Sequence, residues 1–355
     1  MKRFLKTIDD GLLDQTIRRA RLNGRRMANA PAGPSFSRAL RAWRRERTVR
    51  DEDFLYATTL PRFIGGTTGR SGTRWLVRVL KAQFQSDPVV MDEIGVFVLS
   101  LLREAPYEYY QFGTDDAADP RGPYVDYSLP QMARYAFRRR NMYGGGMRGL
   151  ADYVPRRAIR RAGQALREDL RSLSGLPEIT RRFGEFYLHL LNYHAAIVHG
   201  GPSGWINKEP PYGRHADELL RMVPGGRLVV LARDGRASAL SMFKRRWMSS
   251  VRECMERWGE FAQMTVNAVE RAPTDQVLLL RYEDLVRAFE SELGRIHAFF
   301  ELPGPDFDAV YRNSDETLRP QPAGLDRWAG EIADEDLRWF EVTYGDLMER
   351  LGYRA

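Results

Sequence analysis

Apolar positions along this chain follow two alternating rhythms. Short unbroken apolar runs predict buried strands: "RFIGG" from Arg62, "GWINK" from Gly204, "GRLVVLAR" over 226–233 and "DQVLLLRY" over 275–282. Between them the apolar spacing changes to three and four. "TRWLVRVLKAQF" predicts a helix with Trp75, Val79 and Leu80 toward the core, and "ASALSMFKRRW" a helix over 237–247. "MDEIGVFVLSLL" predicts a further helix beginning near Met91. The chain closes on an amphipathic stretch, "DEDLRWFEVTYGDLMERLGY", with a glycine stop. Strands rich in Val, Leu and Ile that alternate with helices predict an α/β fold, a mostly parallel central sheet flanked by helices.

Two segments fall outside that rhythm. Residues 103–200 contain "YEYYQFG", "YGGGMRG" and several Arg-rich helical stretches with no convincing strand. They are expected to form a helical insert over the sheet, either framing an acceptor site or serving as a structural cap. At the start, Phe4, Leu5, Ile8, Leu12 and Ile17 recur at helical spacing among basic residues, and "NAPAGPS" at 29–35 breaks the pattern before a second helical stretch from Phe36. The division expected is a basic helical extension over 1–55 and a main domain over 56–355.

Charge sharpens that division. The net charge is +8, yet residues 1–50 carry 14 Lys/Arg against four acidic residues, so the remainder is about −2. The arm is either a solvated helical arm on the domain or an amphipathic helix on an acidic membrane surface. Its "KTIDDGLLDQT" contains no continuous apolar core, so a signal peptide is not expected. The best apolar run, "VFVLSLL" at 96–102, is far shorter than a membrane span. A single cysteine, Cys254, excludes an internal disulfide and fits a reducing, cytoplasmic setting, with peripheral membrane contact as the arm's other option. His189, His194 and His199 recur every five residues and share no helical face, so no metal site is expected.

The chemistry begins in "GGTTGRSGTRW". A glycine-rich turn between strand and helix presents backbone N–H groups and a helix dipole, which together suit an anion, usually a phosphate. The turn departs from the nucleotide triphosphatase pattern. Ile64 stands where its first glycine belongs, the loop is one residue short from Gly65, and Arg70 replaces the lysine. A second anion site is expected in "LVVLARDGRASALSMFKRR", where Arg233 ends a strand and Ser241 follows eight residues later inside the next helix. Arg236, Lys244, Arg245 and Arg246 add positive charge nearby. Two such sites imply a ligand with two separated anionic groups.

In these residues the chain resembles the sulfotransferases. "FIGGTTGRSGTRWL" looks like their 5′-phosphosulfate loop and "LARDGRASALS" like their 3′-phosphate motif, with the same Arg-to-Ser spacing. The resemblance covers 60–100 and 204–353, and within the family it is nearest to the tyrosylprotein sulfotransferases, through "NKEPPY", "ARDGRASALSMFKRR" and "VVMDEIGVF". It implies a P-loop-like fold and 3′-phosphoadenosine 5′-phosphosulfate as donor, with the bisphosphate as product and no metal. It also implies Glu93 as base, Lys208 and Arg70 on the transferring sulfuryl group, and Arg233, Ser241 and Arg245 on the 3′-phosphate. Ser71, Gly72, Thr73, Arg74 and Trp75 complete the loop, Tyr282 touches the nucleotide, and Ser314 and Arg319 in "SDETLRP" close over it. Arg74 and Trp75 stand where a threonine and a small or aliphatic residue are common in the family.

Alternatives stay open at several positions. Glu93 can equally be a carboxylate favoured by a helix N-terminus, with Asp92, Glu209 and His215 as rival bases. Tyr282 can be a core aromatic with a paired hydroxyl. The acceptor implied bears a hydroxyl on a peptide tyrosine, a glycan or a small molecule, and nucleic acid is not expected. The competing functions are a small-molecule kinase with a shortened loop, and a non-catalytic binder of nucleic acid or membrane through the basic arm.

Overall fold

The computed structural model of the protein describes residues 60–84, 88–92 and 204–353, with ten scattered helical or turn positions between 172 and 192. The expected arm over 1–55, most of the insert over 103–200, and Glu93 lie outside the described residues. In chain order the elements are β1 (Arg62–Gly66), α1 (Thr73–Gln83), β2 (Val89–Asp92), β3 (Trp205–Lys208) and α2 (Ala216–Met222). There follow β4 (Arg227–Ala232), α3 (Gly235–Lys244), α4 (Val251–Arg271), β5 (Val277–Arg281), α5 (Tyr282–Arg287), α6 (Phe289–Phe299), α7 (Phe307–Tyr311) and α8 (Asp334–Arg350).

All five strands run parallel in the order β2-β3-β1-β4-β5, so the fold is the α/β sheet expected from the alternating rhythm. Its register sets Ile64 opposite both Lys208 and Val229, and Ala232 opposite Arg281. Every strand therefore ends its run at the same edge of the sheet. In an open parallel sheet ligands bind beyond that carboxyl edge, near the point where connections diverge to either side. Here that point is β1, flanked by β3 and β4.

Both faces of the sheet are covered, which explains why β1 and β3 are buried at every position and β4 at all but its first. On one face Ile64, Ile206, Val229 and Leu231 pack with Leu76, Val79 and Leu80 of α1 and with Leu293 and Ile296 of α6. On the other, Ala232 packs with Met255 and Trp258 of α4 and Phe340 of α8. α1 is amphipathic: Leu76, Val77, Val79 and Leu80 are buried, while Arg74, Arg78 and Lys81 face solvent.

Two expectations are corrected. Met91 and Asp92 lie on β2, an added parallel strand beside β3, and not at the start of a helix. "VVMD" is too short for periodicity to separate strand from helix, and pairing to β3 decides it. The helix after β4 ends at Lys244 rather than Trp247. Arg246 adopts a left-handed φ of 57°, and the N–H groups of Arg245, Arg246 and Trp247 turn back onto the carbonyls of Met242 and Phe243.

Candidate active site

The first loop is built by Ser71. Its buried hydroxyl accepts from the Thr68 N–H at 2.9 Å, donates to the Thr68 carbonyl at 2.8 Å and lies 3.0 Å from the Thr67 hydroxyl. The Thr67 N–H donates to the Leu231 carbonyl, tying the loop to β4. Ser71 thus folds the turn from within. Gly72 follows as the N-cap of α1 with φ +89°, and an added Cβ would lie 2.2 Å from the Tyr282 ring. Both a left-handed backbone and a close aromatic neighbour require glycine there. Having no side chain, it leaves the first turn of α1 without a side-chain cap. Uncapped N–H groups and the positive end of the helix dipole then face the crevice. Thr73 is buried, and Arg74 is exposed on the first turn.

The second site converges on the first. Arg233, immediately beyond β4, donates to the Arg70 carbonyl at 3.1 Å. Arg70 in turn donates from Nε to the Ser241 hydroxyl at 3.0 Å, two turns into α3. Asp234 caps α3, accepting from the Arg236 N–H at 2.8 Å, and so fixes the direction in which Ser241 projects. The Asp234 N–H is itself held by buried Glu283, which also accepts from the Tyr353 hydroxyl at 2.6 Å. The resemblance put Arg70 in the sulfuryl site and Ser241 in the 3′-phosphate site; the structure joins the two side chains through one hydrogen bond.

The electrostatics of this cluster are one-sided. Burial and the neighbouring guanidiniums of Arg245, Arg233 and Arg74 push Arg70 down from the ordinary arginine value. Arg233 Nε is buried without a hydrogen-bond partner, while its guanidinium lies 5.0 Å over the Tyr282 ring. Tyr282 meets Trp75 edge-on at 5.8 Å. Trp75 donates to the Leu318 carbonyl at 3.1 Å, which draws the "SDETLRP" segment onto α1 with help from an Arg78–Asp315 ion pair. Ser314 is exposed on that segment, and Arg319 donates to the Tyr311 carbonyl at 3.0 Å.

Lys208 ends β3 and is 1% exposed, which places a long cationic side chain inside the sheet's carboxyl edge. The Glu209 N–H donates to the Ile64 carbonyl, and extended Glu209 enters the Pro210–His215 turn. That turn rests on the end of β1 without intervening side chains. A Cβ on Gly65 would lie 2.5 Å from the Gly213 nitrogen, and one on Gly213 would lie 2.5 Å from the Gly66 carbonyl. Of the rival bases, Asp92 ends β2 opposite Lys208, Glu209 is buried, and His215 is buried with Nδ1 2.8 Å from Glu218.

Sequence reasoning missed a buried polar group behind Lys208. The Asn207 side-chain oxygen and the hydroxyls of Tyr187 and Tyr212 form a buried triad in mutual hydrogen-bonding reach, in which Asn207 Oδ1 is an acceptor for the phenols. Burial, with the charge of Glu209, pushes both phenols well above the ordinary tyrosine range. Asn207 beside Lys208 was the available signal, because an amide inside an apolar strand must find partners.

Among the described residues no helix is long and apolar enough to cross a membrane, and no group of His, Cys, Asp or Glu could hold a metal ion. A profile described as the sulfotransferase family matches residues 61–306. Protein-tyrosine sulfotransferase 1 of Danio rerio is 27% identical over 182 residues, 44% of this chain and 50% of that protein. Protein-tyrosine sulfotransferase A of Caenorhabditis elegans is 26% identical over 168 residues, 41% of this chain and 44% of that protein. The chain thus spans about half the length of the curated relatives it matches. The sulfotransferase domain of the Synechococcus PCC 7002 olefin synthase aligns with a TM-score of 0.45 and 17% identity, over 81% of this chain and 95% of that one.

Proposed function

The chain belongs to the sulfotransferase family, and on that premise we propose that it transfers a sulfuryl group from 3′-phosphoadenosine 5′-phosphosulfate to an acceptor hydroxyl. The observation that carries the proposal is the convergence of Arg70, Arg233 and Ser241, with Arg245 as a charged neighbour, at the carboxyl edge beside an uncapped helix. The site suits a doubly anionic nucleotide. A partnerless buried Arg233 Nε and mutually repelling guanidiniums are features that a bound anion would relieve. When bound, the donor supplies the activated sulfuryl group and the bisphosphate that leaves.

The chain's own residues then act by position and charge, as in phosphoryl transfer, where in-line displacement spreads negative charge over oxygens. Lys208, at the end of β3, neutralises charge that grows on the leaving oxygen. Arg70 and the first turn of α1 hold the group in transit. Glu93, one residue beyond β2 in sequence, takes the acceptor's proton. Names of the relatives point to peptide tyrosine as the first acceptor to try, with glycan and small-molecule hydroxyls beside it.

Calorimetry on the full chain tests the donor. Adenosine 3′,5′-bisphosphate is expected to bind more tightly than ATP–Mg²⁺, and the reverse order would sink the proposal in favour of a kinase. A radiolabelled donor then screens the acceptor classes.

A further inference from the structure

Four large apolar side chains are exposed among the described residues, and two of them, Phe243 and Trp247, lie where α3 ends. Trp247 is 50% exposed, yet one edge of its indole sits directly over the first loop: a Cβ added to Gly69 would lie 2.7 Å from that edge. The ring reaches Gly69 because the backbone turns back at Arg246, whose left-handed φ of 57° is unusual for a residue with a side chain. Gly69 directly precedes Arg70, the residue whose carbonyl and side chain are held by Arg233 and Ser241. Three contacts from the β4–α3 unit therefore fall on two consecutive loop residues.

We propose that Trp247 is a positioning residue for the donor: its indole holds the Gly69–Arg70 peptide where Arg70 can serve both anion sites. This rests on the donor proposed above. Gly69 itself needs no glycine backbone, since its φ lies outside the left-handed region. The Trp247 ring edge gives the nearest contacts that an alanine at 69 would meet. That isolates the contact cleanly.

The test is a double-mutant cycle read as affinity for adenosine 3′,5′-bisphosphate by calorimetry on the full chain. Trp247→Ala should weaken binding by about tenfold, Trp247→Phe should restore most of it, and Gly69→Ala should weaken wild type by a similar factor. In the Trp247→Ala background, Gly69→Ala should change nothing further, an outcome that a general loss of structure would not produce. Affinity within twofold of wild type for Trp247→Ala, or equal Gly69→Ala penalties in both backgrounds, overturns the positioning role while leaving the donor intact. Failure of the wild-type chain to bind the bisphosphate overturns both.

Discussion

In the proposed reaction Arg70 and Lys208 divide the work that a transferred anionic group demands. Arg70 is shared between a loop and a helix through Ser241, and the proposal gives it the task of holding the donor before anything reacts. Lys208 sits buried at the end of a strand, where a charge is most effective because little water screens it. The two roles separate kinetically. Lys208→Ala should lower turnover by about 10²–10³ with little change in bisphosphate affinity. Arg233→Ala should instead weaken that affinity by roughly tenfold to a hundredfold, the worth of a charge-assisted hydrogen bond. Glu93→Gln should follow the lysine pattern, losing about 10²–10⁴ in rate with the donor still bound. An Arg233→Ala chain with unchanged donor affinity would remove the second anion site from the proposal.

At the level of elements, backbone geometry decides what the side chains can do. Gly72 must be left-handed and must leave room for Tyr282, so Gly72→Ala is expected to cost more than about 1 kcal/mol and to displace the loop. A thermal-unfolding midpoint close to wild type, with the bisphosphate still bound normally, would contradict that. The same elements show what could be read from residue order. Strands such as "LVVLA" are buried on both faces, so apolar runs expose them directly, and Arg233 follows at the strand end where chemistry is expected. Ser241 was legible from its eight-residue spacing, because seven residues beyond the Asp234 cap make about two helical turns and return it to the cap's face of the helix. β2 was not legible: four residues hold no period, and only the neighbouring β3 makes them a strand. Trp247 was equally hidden. Its partner Gly69 is about 180 residues away, and a turn at Arg246 that no propensity favours creates the contact. Ser71 entered the donor loop through the family resemblance; that its hydroxyl also folds the turn, through Thr67 and Thr68, was not legible because those bonds depend on the loop's backbone path.

Across the whole molecule, ionisable groups far from the crevice set the conditions under which the site persists. His297 on α6 stacks against Phe84 and donates from Nδ1 to the Pro303 carbonyl, while burial pushes its pKa below the ordinary histidine value. The unfolded chain then binds this proton more readily than the folded one. Stability is unaffected above the ordinary histidine range and falls as pH drops through it, levelling only below the depressed folded value. Denaturant titrations between pH 8 and 5 should show that loss in wild type and a smaller one in His297→Gln. Identical pH profiles would remove His297 as its source.

The strand order has one more consequence, for the order of events during synthesis. β1 is the central strand, but its two neighbours emerge much later: Leu231, paired opposite Gly66, follows by roughly 165 residues. At ribosomal speeds of about 5–20 residues per second, a strand that the fold buries along its whole length waits on the order of 10–30 s for both partners. Closing such distant pairs is intrinsically slow. A nascent chain stalled before β3 would expose both edges of β1, so this protein should depend on chaperone protection until its second half has been made.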